Sequence, residues 1–225
     1  SRRVEGELQV EALPVERGVQ ARNMVALLPS TRRTPLGTIV VGAHHDHLGS
    51  VEGEGDTVFN GADDNASGVA TLLEVARLMS GRQRTHDIVF VTFSAEEQGL
   101  LGARSFARSR IVDPGGVAAM VNLDMVGRNP NRPIQIFHNS RGVLRELELR
   151  RMADHLGLSV AVGTENVPPS DLMVFHQSGA PAISLYTGTH EDYHGLDDEP
   201  ERIDRKHHAE VTRLAFEIVR SVVAP

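Results

Sequence analysis

The side chains best equipped for chemistry in this 225-residue chain are nitrogen and oxygen donors, since it has eleven histidines and no cysteine. Without thiolate, any resident metal must be held by imidazole and carboxylate. Those donors occur in clusters. The first is His44-His45-Asp46-His47, followed by Asn60-Gly-Ala-Asp63-Asp64-Asn-Ala-Ser-Gly68 and Ser94-Ala-Glu96-Glu97-Gln-Gly99. Asn122-Leu-Asp124 and His190-Glu-Asp-Tyr193-His194-Gly complete the set. Singly, each has an ordinary structural explanation: Asp, Asn and Ser cap helices, and acidic residues in a first helical turn favour the macrodipole. Together they supply two histidines, two aspartates and a glutamate, with a second glutamate beside the first. Five such donors, one of them a bridging carboxylate, suit two zinc ions roughly 3.5–4 Å apart. Hydrolysis also needs a base that is not itself a ligand, to take a proton from the attacking water. Adjacent side chains at a strand end point in different directions, so Glu97 could bind metal while Glu96 faces the water. His44 with a carboxylate two residues on reads as a ligand beside the acceptor that fixes its tautomer.

The elements that must position these residues alternate between strand and helix. Residues 4–12 and 19–28 read as strands, the first with the alternation of an exposed one. The apolar runs at 37–43 and 87–93 are predicted as buried strands, 117–124 as a third, and 134–137 and 182–186 as two more. Helices are expected over 66–80, 100–109, 141–155 and 205–222. Gly115 and Gly116 read as a turn before a strand. Buried strands alternating with helices imply a three-layer αβα sandwich, in which sites form beyond the carboxyl ends of the strands. The amphipathic N-terminal strands make the sheet mixed and mostly parallel. Every unusual polar cluster falls at such an end.

Composition narrows the function further. The chain has 30 acidic and 23 basic residues, a formal charge of −7, which disfavours nucleic acid and anionic membranes as partners. No apolar run approaches the ~18 residues that would span a bilayer. The length suits a single large catalytic domain. The chain opens Ser1-Arg2-Arg3, so upstream targeting or accessory segments are expected to have been removed.

Five segments carry a family resemblance. Gly42-Ala-His44-His-Asp46-His-Leu-Gly49, Asn60 to Gly68, Ser94-Ala-Glu96-Glu97-Gln-Gly-Leu-Leu-Gly102, Asn122-Leu-Asp124-Met-Val-Gly-Arg128 and Asp192-Tyr-His194 are together similar to the successive motifs of the bacterial co-catalytic zinc aminopeptidases. That family is related to the glutamate carboxypeptidases, and the match runs in order from about residue 22 to residue 204. The resemblance implies two Zn²⁺ ions per chain and a zinc-exopeptidase fold. It makes Asp63 the bridging ligand, with His44 and Asp124 completing one site and Glu97 and His194 the other. Glu96 becomes general base and acid, Tyr193 stabilises the oxyanion, and Asp46 orients His44. The Asp63–Asp64 peptide is expected to be cis, Asp64 standing behind the ligands. Peptides with a free N-terminus are the implied substrates, and secretion or a periplasmic location the implied setting. The chain departs from the pattern at Ser170-Asp171-Leu172, where many members carry histidine in place of Leu172.

The other residues carry bland expectations. His45 and His47 are placed outside the inner shell, while His138, His155, His207 and His208 are read as solvated. Arg82, Arg84, Arg108 and Arg110 are read as surface charge. A carboxypeptidase or deacylase on the same metal pair is the nearest alternative activity, and a non-catalytic receptor-like domain a more distant one. If the acidic cluster holds two zinc ions, the loaded chain carries −7 + 4 = −3. Part of the negative charge then belongs to a metal site instead of a solvated surface.

Overall fold

The computed structural model describes residues 9–14, 21–109, 111–112, 116–139, 145–164 and 168–224. Ten strands run β1 Gln9–Pro14, β2 Arg22–Leu28, β3 Thr38–His44, β4 Gly49–Ser50, β5 Val58–Phe59, β6 Asp87–Phe93, β7 Val117–Leu123, β8 Ile134–His138, β9 Val160–Gly163 and β10 Ala182–Tyr186. Among the described residues the five α-helices are α1 Gly68–Ser80, α2 Leu101–Ser109, α3 Glu146–Leu156, α4 Leu172–Ser178 and α5 Arg205–Val223. Eight strands form one sheet in the order β1-β2-β6-β3-β7-β10-β8-β9, and β4 pairs with β5 in a separate hairpin. The expected mixed sheet is present: β6, β3, β7 and β10 are mutually parallel, as are β8 and β9, while β1–β2, β2–β6 and β10–β8 pair antiparallel.

The apolar runs in β3 and β6 are continuous because both sheet faces are covered. Ile39, Val41, Ile88 and Phe90 face one core, packed by α1, α3 and α5. Val40, Val89 and Val91 face the other, where Ala103 and Phe106 of α2 meet Leu172 and Phe175 of α4. This is the αβα sandwich anticipated from the alternation of elements. Among the described residues no helix is long and apolar enough to cross a membrane.

Several expectations are revised. The described part of strand β1 is Gln9–Pro14; residues 4–8, 19–20 and 141–144 of the expected elements, with Arg110 and Gly115, lie outside the described residues. Strand β9, helix α4 and the β4–β5 hairpin were not anticipated; at four, seven and two residues per element they are too short to set up a period. Arg84 is not a surface charge but is 1% exposed, its guanidinium donating to the carbonyls of Pro29, Met79 and Arg82. His207 is buried and His208 is held by Thr71 and the Ser67 carbonyl, where solvation was expected.

Gly102, at the start of α2, locks the turn carrying Glu96 and Glu97. Asn23 donates to its carbonyl at 2.8 Å and accepts from Ser94 N at 3.0 Å. A Cβ there would overlap the Ser94 carbonyl oxygen and lie 2.6 Å from Asn23 Oδ1. Gly102→Ala is therefore expected to destabilise the fold by about 1–3 kcal/mol, measurable by denaturant unfolding, because two of the obstructing atoms are backbone.

Candidate metal centre

Strand register brings the donor clusters level. In the parallel centre of the sheet His44 pairs with Phe93, Gly42 with Asn122, and Leu185 with Leu123. The first residues past these strand ends are therefore neighbours. Asp124 stands two beyond Asn122 as His44 stands two beyond Gly42, and Glu96 and Glu97 follow Phe93 after a two-residue turn. The Ala62–Ser67 turn, which leads into α1, inserts Asp64 from the side. Ala95, Met125 and His194 adopt left-handed φ values of 57°, 51° and 56°, so three strained non-glycine residues stand in or directly beside the donor segments. Such strain concentrates at functional sites.

Two groups of donors share one carboxylate. His44 Nε2 lies 3.1 Å from Asp64 Oδ1 and 3.6 Å from Asp124 Oδ1. On the other side, His194 Nε2 lies 3.3 Å from Asp64 Oδ2 and 3.2 Å from Glu97 Oε2. His47 Nδ1 approaches Glu97 Oε1 at 2.9 Å and Asp64 Oδ2 at 4.0 Å. His44-Asp64-Asp124 and His47-Asp64-Glu97 are each close enough to enclose an ion.

This arrangement corrects the expected role of Asp63. The Asp63 side chain accepts from Gly127 N at 2.7 Å and faces His190 Nε2 at 3.4 Å, away from the cluster. Asp64, expected behind the ligands, occupies the shared position, and the cis bond falls one residue later, between Asp64 and Asn65. The reason is conformational: Asp64 (φ −107°, ψ 86°) and Asn65 (φ −138°, ψ 43°) leave the helical turn, so neighbouring carboxylates diverge. Asp46 is also revised. His44 Nδ1 donates to the main-chain carbonyl of Asp46 at 3.1 Å, with the carboxylate farther off at 3.8 Å; Asp46 Oδ1 instead accepts from Glu96 N at 3.2 Å. The Nδ1 hydrogen bond leaves Nε2 as the ring nitrogen facing Asp64 and Asp124. His47, expected outside the inner shell, comes within hydrogen-bond range of Glu97.

Glu96 belongs to neither donor group and lines a cleft of about 260 Å³ with Tyr193, Met125, Ser184 and Tyr186. The paired glutamates titrate apart. Burial pushes Glu96 up to about 8 against the opposing charge of His44, and the charges of Asp124, Glu97 and Asp64 add to the rise. Burial raises Glu97 as well, but the hydrogen bond with His47 and the charges of His194 and His44 hold it below the usual range. Burial opposes a proton on His44, yet hydrogen bonds to Asp124 and Asp64 lift it well above an ordinary histidine. Burial, followed by the charges of Asp64 and Glu97, keeps the Tyr193 phenol protonated; its ring stacks on His194 at 3.9 Å.

A raised carboxyl pKa costs stability only where the unfolded chain would ionise. For metal-free protein the Glu96 penalty is absent below about pH 4.5, grows through the window up to about 8, and is complete above it. Glu96→Gln should therefore raise the melting temperature in chelator at pH 9 and leave it nearly unchanged at pH 4. An equal shift at both values would contradict the assigned burial.

The donor set fits divalent metal. The ion pairs of Asp64, Asp124 and Glu97 among the described residues are all to histidine, and Nε2 of His47 and His194 is buried with no hydrogen-bond partner. Crowded carboxylates with imidazole and no lysine or arginine call for an added cation. Leu172, at the position where a histidine was the common pattern, packs into the apolar cluster with Phe93 and Phe175, so it makes no polar contribution to the cleft. His190 and Asp198 were missed as structural partners of this loop. Asp198 is legible in the sequence only as one of many acidic residues, four positions after His194.

Comparison with known proteins bears on the same residues. The model of peptidase family M28 matches residues 23–219. A probable zinc metalloprotease of Pyrenophora tritici-repentis is 36% identical over 134 residues, covering 58% of this chain and 30% of that protein. A probable leucine aminopeptidase of Trichophyton verrucosum is 27% identical over 209 residues, covering 85% and 53% respectively. Among solved structures, an aminopeptidase from Aneurinibacillus sp. strain AM-1 superposes with a TM-score of 0.76 at 29% identity, over 91% of this chain and 48% of that one. The chain thus spans about a third to a half of the length of these three proteins. The two curated relatives are fungal, so the likeness is not confined to bacterial proteins.

Proposed function

Because the chain belongs to peptidase family M28, we propose that it is a zinc aminopeptidase that removes the N-terminal residue of peptides at a two-metal centre. The observation that carries this reading is the Asp64 carboxylate shared between two donor groups, with Glu96 beside them and outside both. His44 and Asp124 would hold one zinc, Glu97 and His194 the other, and Asp64 both. His47 would steady Glu97 through their 2.9 Å contact. When bound, the zinc ions supply Lewis-acid chemistry that lowers the pKa of water and polarises the scissile carbonyl.

The chain's own residues do the rest. Glu96 takes the proton of the attacking water and delivers it to the leaving nitrogen as the peptide C–N bond breaks. Its carboxylate lines the cleft beside the donor groups and outside both, which leaves it free to accept and release a proton. Tyr193 keeps its phenolic proton and donates to the oxygen on which charge develops. The single-domain organisation and a secreted or periplasmic setting belong to the same reading, supported by the resemblance of the motifs.

Amino-acid p-nitroanilides assayed beside N-acylated dipeptides test the activity. Cleavage of the anilides, lost when the α-amine is blocked, is the expected result. Hydrolysis of the acylated dipeptides alone would replace the aminopeptidase with a carboxypeptidase or deacylase on the same residues.

A further inference from the structure

The segment after His194 carries a feature that the proposed chemistry does not use. Asp198 is 0% exposed, and its carboxylate accepts from Asp63 N at 3.0 and 3.1 Å and from Asp64 N at 3.0 Å. Its main-chain carbonyl also accepts from Ala62 N at 3.0 Å. Three successive amides of the Asp64 turn thus converge on one residue. No local side chain caps this turn, whose first position is Gly61. Asp198 is tied back to His194 by short turns, with Gly195 N donating to Asp192 O at 2.8 Å and Asp198 N to Gly195 O at 3.4 Å. At the other end of the same segment, Asp192 is gripped by Arg128 at 2.7 Å, with Arg202 at 3.6 Å. Arg128 lies four residues after Asp124.

We propose that Asp198 and Arg128 are positioning residues, which use the 192–198 segment to register the Asp64 turn and the Asp124 loop against His194. The proposal rests on the reading of Asp64, Asp124 and His194 as metal ligands. A carboxylate suits the task at Asp198, since both oxygens accept and no donor opposes the backbone N–H groups. Asparagine would keep the volume and turn an NH₂ group toward them. Because Asp64 is shared, disturbing its turn should weaken both metal sites. Arg128 acts through Asp192, next but one to His194, so its loss should weaken one site.

The test is zinc titration of the metal-free 225-residue chain against a chromophoric chelator, with circular dichroism reporting the fold. Wild type is expected to take two equivalents. Asp198→Asn should lose at least about tenfold in affinity for both, the usual scale for groups that orient ligands. Arg128→Met should lose about tenfold for one equivalent only, and Arg128→Lys should recover most of it. A folded Asp198→Asn with both affinities at the wild-type level overturns the proposal. So does an Arg128→Met variant that weakens both equivalents alike or neither, and this arm decides the matter if Asp198→Asn does not fold. A wild-type chain that takes fewer than two equivalents overturns the two-metal reading itself, and the positioning roles with it.

Discussion

Glu96→Gln is expected to lower kcat on an amino-acid p-nitroanilide at least about a hundredfold while two zinc ions stay bound, the usual scale for a positioned proton transfer. The substitution keeps the shape of the side chain and removes its ability to accept a proton. Glu96 lines the cleft and is absent from both donor groups, so metal content should not follow activity down. The Asp46 carboxylate, through its 3.2 Å hydrogen bond to Glu96 N, holds the backbone of the base independently of its side-chain charge. Zinc measured by elemental analysis beside steady-state kinetics checks both halves. Turnover near wild type would remove Glu96 from the mechanism, and loss of zinc in parallel would make it a ligand.

The second large effect concerns the shared carboxylate. Asp64→Ala should take the chain from two zinc ions toward none after dialysis, because both groups lose a donor at once. Asp63→Asn should retain two: its side chain faces Gly127 and His190, and an amide oxygen can still accept from Gly127 N. Elemental analysis of the pair separates adjacent residues that the sequence presents as equals. The opposite pattern, with two zincs in Asp64→Ala and none in Asp63→Asn, would return the bridging role to Asp63.

Much of the architecture could be read without coordinates because burial leaves a pattern. Ile39, Val40 and Val41 are all apolar since each faces a core, one side or the other, and the same holds for Ile88 to Val91. Helix α5 was legible through Val211, Leu214, Ala215, Ile218 and Val222, which share one stripe. Patterns of this kind fade in short elements such as β9 and α4. They also carry no information on polar burial. Arg84 looks like any helix-flanking arginine until the carbonyls of Pro29, Met79 and Arg82 are seen to converge on it.

The sequence by itself determined the chemistry available: imidazole and carboxylate without thiolate, placed past the ends of strands that burial forces into the centre of a sheet. Residue type and spacing along the chain settle such things, because composition limits the donors and apolar periodicity sets the strands. Only the tertiary structure decided which of two adjacent aspartates faces the cluster, that His47 reaches Glu97, and that Asp198 holds the amides of the Asp64 turn. Each depends on backbone dihedrals in irregular turns and on approaches between segments up to 136 residues apart. No repeating pattern of hydrophobicity encodes either one.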